Sequence, residues 1–274
     1  MGEVKFGSAG LGPVATAEKV LESYHKLGLK CCEIAFTYSV YIKPEDAVRI
    51  GKKAKELEIE LSIHAPYFVN LNSDDPKKIK ATKERILNCC EIGELLGAKI
   101  VVFHPGYYGN KVAKSSKDKL SSDYGKGDRI LAYTAVKEGI LDLLATIKKK
   151  GWKIKIGPET MGKINVFGSI DEISRLAKET GCSFCIDFAH ILARDKKVNY
   201  DEIKKLFPQK EWHCHFSGIV YGDKGEKNHK KTTKEEWLGV LRNLPKDKDV
   251  RIINESPDMV QDAVDGMKLL GKLK

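Results

Sequence analysis

Short apolar segments alternate with longer segments of helical period along the whole chain, and this alternation constrains the fold more than any other feature. Eight apolar segments have the length of β-strands: 4–9, 31–36, 61–65, 100–104, 154–158, 184–188, 212–216 and 250–254. Amphipathic segments follow them, with apolar residues three and four positions apart: 17–27, 47–57, 79–96, 132–149, 171–180, 200–207, 234–241 and 259–270. The pattern indicates a repeated strand–helix unit.

A strand–helix unit repeated eight times indicates the α/β class. Nearly continuous apolar strands are expected where a parallel sheet is buried on both faces, and eight such units close into a barrel. We therefore predict a (β/α)8 TIM barrel that forms a single domain over residues 1–274; an open, doubly wound sheet is the alternative. Glycines follow four helical segments, where a helix end favours positive φ: Gly28, Gly97, Gly151 and Gly181.

The chain is basic, with a formal net charge of +10. A positive surface concentrates polyanions, so the charge favours a nucleic-acid partner over a small neutral substrate. The N-terminal residues lack the apolar core of a signal peptide, and no segment is long enough to span a bilayer. We expect a cytoplasmic protein with no membrane partner.

The seven cysteines lie mostly within apolar segments, unlike the pattern of a secreted disulfide framework. We expect reduced, buried thiols. Cys182 and Cys185 form a CxxC motif, but no second pair accompanies them, and residues three apart on a strand point to opposite faces. Packing in the core is therefore favoured over metal or redox chemistry at this pair.

Two long connections follow the fourth and seventh strands, 105–127 and 218–233, at the end of a barrel where active sites form. The first combines lysines with tyrosines: Lys111, Lys114, Lys117, Lys119, Tyr107, Tyr108 and Tyr124. Such a mixture suits phosphate binding and base stacking. It equally suits a solvated surface loop, and the sequence leaves both interpretations open.

Residues that commonly bind metals lie at or near the ends of six consecutive predicted strands. They are His64, His104, Glu159, Asp187 with His190, His213 with His215, and Glu255. Another of the seven histidines, His229, lies in the connection after the seventh strand. Acids and imidazoles that converge on one barrel mouth need protons or metal ions to compensate them, and this donor set suits Zn²⁺ or Mn²⁺. Ions that share a carboxylate can activate a water for in-line phosphoryl displacement, which favours phosphodiester hydrolysis.

Five sequence stretches resemble the endonuclease IV family of apurinic/apyrimidinic endonucleases, which has a xylose isomerase-like TIM barrel. They are HAPYFVNLNSDDP from His64, LGAKIVVFHPG ending at Gly106, PETMGKINVFGSIDEI around Glu159, CSFCIDFAH ending at His190 and INESP around Glu255. The resemblance spans nearly the whole chain. It implies a zinc-dependent deoxyribonuclease of DNA repair that cleaves damaged double-stranded DNA 5′ to an abasic nucleotide, leaving a 3′-hydroxyl, with the DNA bent and the lesion flipped out. We expect it to act as a monomer.

The resemblance further implies a site of three zinc ions, in which Glu159 bridges two ions and is the catalytic residue. The ligands that match the family by position are, for the first ion, His64, His104 and Glu159; for the second, Glu159, Asp187, His213 and Glu255; and for the third, His190 and His229. Tyr67 matches an aromatic residue that the family inserts into DNA near the lesion. An ordinary loop tyrosine is the alternative.

Two positions depart from the family pattern. The family has an aspartate two residues before the histidine of the seventh-strand connection, where this chain has Lys227. Either Glu226 substitutes after a small shift of the loop, or the ammonium group of Lys227 replaces part of the third ion's charge. The family also follows its ligand histidine with a polar Asn-Asp pair, which His213 lacks. His215 is therefore an alternative ligand, although His213 fits the predicted register better.

Two other functions are consistent with the barrel. A metal-dependent sugar isomerase or epimerase of the same superfamily would hold one Mn²⁺ with the four residues assigned to the second zinc ion, and its two glutamates would exchange protons at adjacent carbons. That function leaves His64 and His104 without a shared task, and it needs one ion where the nuclease needs at least two. A catalytically inactive nucleic-acid-binding barrel, suggested by Lys227, would bind DNA without turnover.

Overall fold

The strands form a closed barrel. The computed structural model of the chain describes residues 2–109 and 124–273. Its strands are β1 (Val4–Ala9), β2 (Cys31–Ala35), β3 (Glu60–His64), β4 (Ile100–Phe103), β5 (Lys155–Pro158), β6 (Cys185–Asp187), β7 (Glu211–Phe216), β8 (Gly218–Gly222), β9 (Gly225–Lys230) and β10 (Asp249–Asn254).

Within the described residues, eight of these strands are parallel and hydrogen-bonded in the order β5-β4-β3-β2-β1-β10-β7-β6. A bridge between Glu159 and Cys185 joins the two outer strands. Beside it, the backbone N–H of Thr160 donates to the carbonyl of Cys185 at 3.0 Å. These contacts close the sheet, and the predicted TIM barrel is confirmed.

The helices pack against the outside of the barrel. They are α1 (Ala17–Lys26), α2 (Pro44–Glu56), α3 (Pro76–Leu96), α4 (Tyr124–Lys150), α5 (Ile170–Thr180), α6 (Phe188–Asp195), α7 (Tyr200–Leu206), α8 (Lys234–Leu241) and α9 (Met259–Gly271). Local capping fixes several ends: the Asp75 side chain accepts a backbone N–H at the start of α3, and Ser169 with Glu172 forms a capping box at the start of α5. Gly97 and Gly181 end these two helices at φ 66° and 76°, as their positions in the sequence predict.

Two elements differ from the sequence prediction. Helix α6 begins directly after β6, where Asp187 accepts the backbone N–H of His190 at 2.8 Å. The apolar run 184–188 continues across this boundary, so apolar pattern alone cannot separate strand from helix there. Strands β8 and β9 form an antiparallel hairpin within the predicted connection 218–233. The hairpin stands at the rim of the barrel and carries His229.

Burial of the cysteines agrees with the expectation of reduced core thiols. All seven lie in the described residues, and each is buried with a free thiol. Burial raises the pKa of Cys182 to about 11 and that of Cys185 well above its ordinary value. High thiol pKa values disfavour the thiolate, which is the reactive form. None of the helices in residues 2–109 and 124–273 is long and apolar enough to cross a membrane.

Only part of the connection after β4 is described. Lys111, Lys114, Lys117 and Lys119 lie outside the described residues, as does the side chain of Tyr124. Tyr107 is exposed and lines the cavity at the barrel mouth. Tyr108 is half-buried, and its hydroxyl donates to Glu172 at 2.8 Å. The two described tyrosines therefore have different environments, and only Tyr107 is available to a ligand.

Candidate metal centre

Except for His213, the residues that the sequence places at strand ends line one cavity at the C-terminal end of the barrel or contact the residues that line it. The cavity has a volume of about 540 Å³. The loops that follow parallel strands all open to this end, which explains why residues far apart in sequence converge here. Metal-binding and aromatic side chains line it, namely His64, Tyr67, His104, Tyr107, His190, Glu226, His229 and Glu255.

Glu159 lies at the centre of the cluster, directly after β5, and its carboxylate is buried. Its Oε2 lies 3.3 Å from Nε2 of His64 and 3.2 Å from Nε2 of His104. Its Oε1 lies 3.2 Å from Nδ1 of His190 and 3.3 Å from Nδ1 of His215. Each carboxylate oxygen therefore faces a different pair of imidazoles, which is the arrangement that a bridging ligand requires.

A second group of donors adjoins Glu159 and consists of Glu159, Asp187, His215 and Glu255, with ligand atoms that all lie within 4.8 Å of one another. Nδ1 of His215 lies 3.4 Å from Oε1 of Glu255. Among the described residues, the buried Oδ2 of Asp187 accepts no hydrogen bond, and Nδ1 of His190 lies 3.3 Å from it. A buried carboxylate oxygen without a donor is costly unless a cation compensates it, so this group fits a divalent metal ion.

The structure places His215, and not His213, in this second group. Strand β7 pairs with β6 so that His215 is level with Asp187, whereas His213 is level with Cys185. Both histidines lie on the same face of β7 because they are two residues apart, and their contacts with the buried Glu33 place that face in the barrel interior. His213 lies one layer deeper. Its Nε2 contacts Glu33 at 2.9 Å instead. The positional match to the family assigned His213 to the second ion; the alternative, His215, is the histidine that adjoins Glu159.

A third group consists of His190, Glu226 and His229, whose ligand atoms also lie within 4.8 Å of one another. Nε2 of His190 lies 3.4 Å from Oε2 of Glu226. On the far side of the His229 ring, Nδ1 lies 2.6 Å from the hydroxyl oxygen of Ser217. Lys227 is exposed to solvent. Of the two alternatives that the sequence leaves open, the structure therefore brings Glu226, and not Lys227, to this group.

A β-bulge explains how Glu226 and His229 reach the same side of the hairpin. Residues three apart on a regular strand face opposite sides. The pairing with β8 skips Lys227, since Val220 pairs with Asn228 and Tyr221 pairs with Glu226. Lys227 is the extra residue of the bulge, and its insertion returns Glu226 to the face of His229.

Gly162 allows the hairpin to approach the loop after β5. A Cβ atom at this position would lie 2.8 Å from Cβ of Glu226 and 2.9 Å from Cδ2 of His190. The backbone N–H of Glu226 donates to the carbonyl of Gly162 at 3.1 Å. A side chain at residue 162 would therefore separate the two donors, which makes glycine part of the construction of the third group.

Carboxylates and imidazoles of the cluster shift one another's pKa values. Burial acts to raise the pKa of Glu159, but His215, His104 and His190 outweigh it and hold the pKa well below its usual range. Burial opposes the charged form of His64, yet Glu159 raises the pKa of this imidazole to about 9. A divalent ion would replace protons on the imidazoles, so metal binding here is coupled to proton release.

Tyr67 lies beside the first group. Its ring centroid is 5.6 Å from that of His104 and 6.0 Å from that of His64. The side chain is 56% exposed, and the next residue, Phe68, is 62% exposed. Phe68 packs against Tyr38, which is 76% exposed, at a centroid distance of 6.2 Å. We call Tyr38, Tyr67 and Phe68 the aromatic rim.

Sequence reasoning missed Glu33. This residue lies in β2, its side chain is completely buried, and it contacts both His213 and His215. A charged residue within the apolar segment CCEIA was the available signal. Its partners come from β7, on the other side of β1 and β10 in the sheet, so no local pattern could reveal them. One layer below the cavity, Cys185, His213 and His215 also bring ligand atoms within 4.8 Å of one another.

The fold and this cluster define a TIM barrel with an acidic and histidine-rich centre. Residues 21–262 match the model of the xylose isomerase-like TIM barrel family, and the chain belongs to this family. An uncharacterized protein of Methanocaldococcus jannaschii is 34% identical over 98% of this chain and 97% of its own length. An endonuclease 4 homolog of Dictyostelium discoideum is 23% identical over 72% of this chain and 35% of its own length.

Solved structures share the fold. The crystal structure of endonuclease IV from Thermus thermophilus has a TM-score of 0.69 and 19% identity, covering 99% of this chain and 100% of that chain. D-psicose 3-epimerase has a TM-score of 0.64 and 16% identity, covering 99% of this chain and 100% of that chain. At these identities the likeness shows the barrel alone. The predicted resemblance to the endonuclease IV family is confirmed by the sequence relatives and the shared fold together.

Proposed function

We propose that the protein is a metal-dependent endonuclease of DNA base excision repair, which hydrolyses the phosphodiester bond 5′ to an abasic site. The observation that carries this proposal is the presence of three groups of metal-binding side chains around one cavity, two of which share Glu159. Two or more ions suit a phosphodiester, because both the attacking and the leaving oxygen carry developing negative charge. A sugar isomerase that uses one ion would need only one of the groups.

We propose Zn²⁺ as the ion, with Mn²⁺ as a substitute, because imidazole and carboxylate donors suit both. When bound, such ions supply Lewis acidity, which stabilises charge on phosphoryl oxygens and favours the ionisation of water. The chain's own residues hold the groups in place. The proposed ligands of the first group are His64, His104 and Glu159, and those of the second are Glu159, Asp187, His215 and Glu255. Those of the third group are His190, Glu226 and His229.

Damaged double-stranded DNA is the proposed substrate. The net charge of +10 attracts a polyanion. Lys163 lines the cavity and provides a cation for a phosphate beside the third group. The aromatic rim offers exposed rings to bases next to the lesion, and its member Tyr67 contacts the histidines of the first group. A small neutral sugar would not require such a surface.

One observation favours the epimerase alternative. The second group by itself contains the two glutamates, the aspartate and the histidine that such an enzyme needs. The shared fold with D-psicose 3-epimerase agrees with it. In an epimerase, the His64–His104 pair and the third group would have no role. The inactive-barrel alternative loses its main support because Lys227 faces solvent.

The proposal is tested by incubating the purified protein with a duplex that contains a single tetrahydrofuran abasic analogue, and by measuring its metal content in parallel. We expect a nick 5′ to the analogue, loss of nicking with a chelator, recovery with Zn²⁺, and two or three ions per chain. Glu159→Gln should lower nicking by at least about 100-fold because it weakens two groups at once. Glu60→Gln, at the opposite end of the barrel, is the matched control.

Zinc-loaded protein that leaves the abasic duplex intact would refute the nuclease. One ion per chain together with interconversion of ketoses at a single carbon would instead establish the epimerase. Salt-dependent DNA binding that survives Glu159→Gln, with no nicking in the wild type, would identify a binding protein. The epimerase and the binding protein both leave the duplex intact, and turnover of ketoses distinguishes them.

A further inference from the structure

Glu33 is a buried carboxylate that faces the barrel interior below the cavity. Its Oε2 accepts a hydrogen bond from the hydroxyl of Ser62 at 2.8 Å and lies 2.9 Å from Nε2 of His213. Its Oε1 lies 2.8 Å from Nε2 of His215. The contacts to the histidines cross the barrel interior from β2 to β7. A fully buried carboxylate is unfavourable unless such donors surround it, so these contacts indicate a specific role.

The two nitrogens of the His215 ring face different surroundings. Nε2 faces Glu33, whereas Nδ1 faces Oε1 of Glu159 at 3.3 Å and Oε1 of Glu255 at 3.4 Å. A neutral imidazole carries one proton, and the partner of one nitrogen decides which nitrogen keeps it. Nδ1 is hydrogen-bonded to Glu159 in the structure, whereas the contact between Nε2 and Oε1 of Glu33 is close but not aligned as a hydrogen bond. When an ion occupies the second group and takes Nδ1, the carboxylate of Glu33 is the acceptor beside the proton on Nε2.

Other histidines of the centre have a neutral acceptor beside one ring nitrogen. Nδ1 of His64 lies 2.8 Å from the carbonyl oxygen of the next residue, and Nδ1 of His190 lies 3.0 Å from the carbonyl oxygen of Thr160. His229 uses the hydroxyl of Ser217. Nδ1 of His190 also lies near carboxylates, but these belong to the proposed ligands Glu159 and Asp187. Glu33 belongs to none of the proposed groups, and a carboxylate in its position makes the His215 imidazole a stronger donor.

We infer that Glu33 is a positioning residue that selects the Nε2-protonated form of His215 and thereby directs Nδ1 to a metal ion in the second group. This inference rests on the metal centre of the proposed function. Ser62 and His213 hold Oε2, which keeps Oε1 within 2.8 Å of Nε2 of His215. Glu33 therefore sets the affinity of the second group without touching the ion.

The first test observes the wild-type protein directly. Protein labelled with ¹⁵N at its histidines is loaded with Zn²⁺, and long-range ¹H–¹⁵N correlations identify the protonated nitrogen of each ring, with His215 assigned by comparison with His215→Asn. We expect His215 to carry its proton on Nε2 and to bind zinc through Nδ1. Zinc on Nε2, or a His215 that binds no zinc, would overturn the inference.

The second test compares Glu33→Gln with Glu60→Gln, the same substitution at a carboxylate outside the cavity. Zinc affinity is measured by competition with a chromophoric chelator, on protein shown by circular dichroism to be folded. We expect Glu33→Gln to weaken zinc binding at one site by about 10- to 100-fold and Glu60→Gln to leave it unchanged. Equal affinities in the two variants would reduce Glu33 to a structural residue.

Neither measurement uses DNA, so each remains informative if the nuclease proposal fails. If His215 binds zinc through Nδ1 and Glu33→Gln weakens zinc binding, but the protein leaves abasic DNA intact, the proposed function is refuted and the role of Glu33 is kept. If Glu33→Gln does not fold, the correlations on the wild type still decide the tautomer.

Discussion

The guanidinium group of Arg194 donates a hydrogen bond to the hydroxyl oxygen of Tyr108 at 3.0 Å. The same group donates to the carbonyl oxygens of Lys163 at 2.7 Å and Val166 at 2.9 Å. Arg194 is buried and lies on α6, one helical turn after His190. The loop after β5 forms part of the cavity wall. The network therefore joins this loop to α6, the helix that carries the proposed ligand His190.

We predict that Arg194→Met lowers the free energy of unfolding by about 3 kcal/mol, because carbonyl groups of the buried loop lose their donor. Urea unfolding at neutral pH measures the change. Arg242→Met is the control, since Arg242 is exposed at the end of α8, and its effect should stay within about 0.5 kcal/mol. A loss below about 1 kcal/mol for Arg194→Met would mean that other contacts hold the loop.

A second prediction concerns pH and the opposite end of the barrel. Burial acts to raise the pKa of Glu60, but hydrogen bonds from Lys5 and Arg251 outweigh it and lower the pKa below its ordinary value. A carboxyl with a lowered pKa in the folded state contributes stability above its unfolded pKa, about 4.3, and loses it as the pH falls through the folded value.

The stability advantage of the wild type over Glu60→Gln should therefore be constant between about pH 7 and pH 5.5 and shrink below about pH 4.3. Urea unfolding of both proteins at a series of pH values tests this. An advantage that grows on acidification would contradict the lowered pKa of Glu60.

The sequence determines the barrel because its strands are buried on both faces and therefore read as continuous apolar runs. It places ligand residues at one rim because parallel strands end on the same side. It cannot decide between His213 and His215, since both face inward, and their depth depends on how β7 pairs with β6. Nor can it place Glu226, whose orientation depends on the bulge at Lys227. Both features depend on how neighbouring strands pair, and the pairing register is set by the folded sheet and not by the pattern within one strand.

The third prediction tests the aromatic rim. If the exposed rings of Tyr67, Phe68 and Tyr38 stack against bases, each substitution by alanine should weaken binding of an abasic duplex by about 1–3 kcal/mol. Fluorescence anisotropy in the Glu159→Gln background measures binding without cleavage. Leu131→Ala, which removes an exposed apolar side chain from α4, should have no effect. Equal affinities for all four variants would remove the rim from the proposed DNA surface.

The last prediction concerns the third group and the bulge. Glu226→Gln should reduce the zinc content by one ion per chain, because His190 and His229 alone provide too few donors. Lys227→Ala should retain the ion, since the Lys227 side chain is exposed and the bulge depends on the extra residue and not on its ammonium group. Elemental analysis after gel filtration measures the ion content of both.

Deletion of Lys227 gives a sharper test of the same geometry. It leaves Glu226 two residues before His229, and positions two apart share a face on a regular strand. The hairpin then needs no bulge to direct both side chains to His190, so we expect the deletion variant to keep its third ion. If Lys227→Ala binds the ion and the deletion variant does not, the bulge itself is required, because it also sets the distance between the hairpin and Gly162.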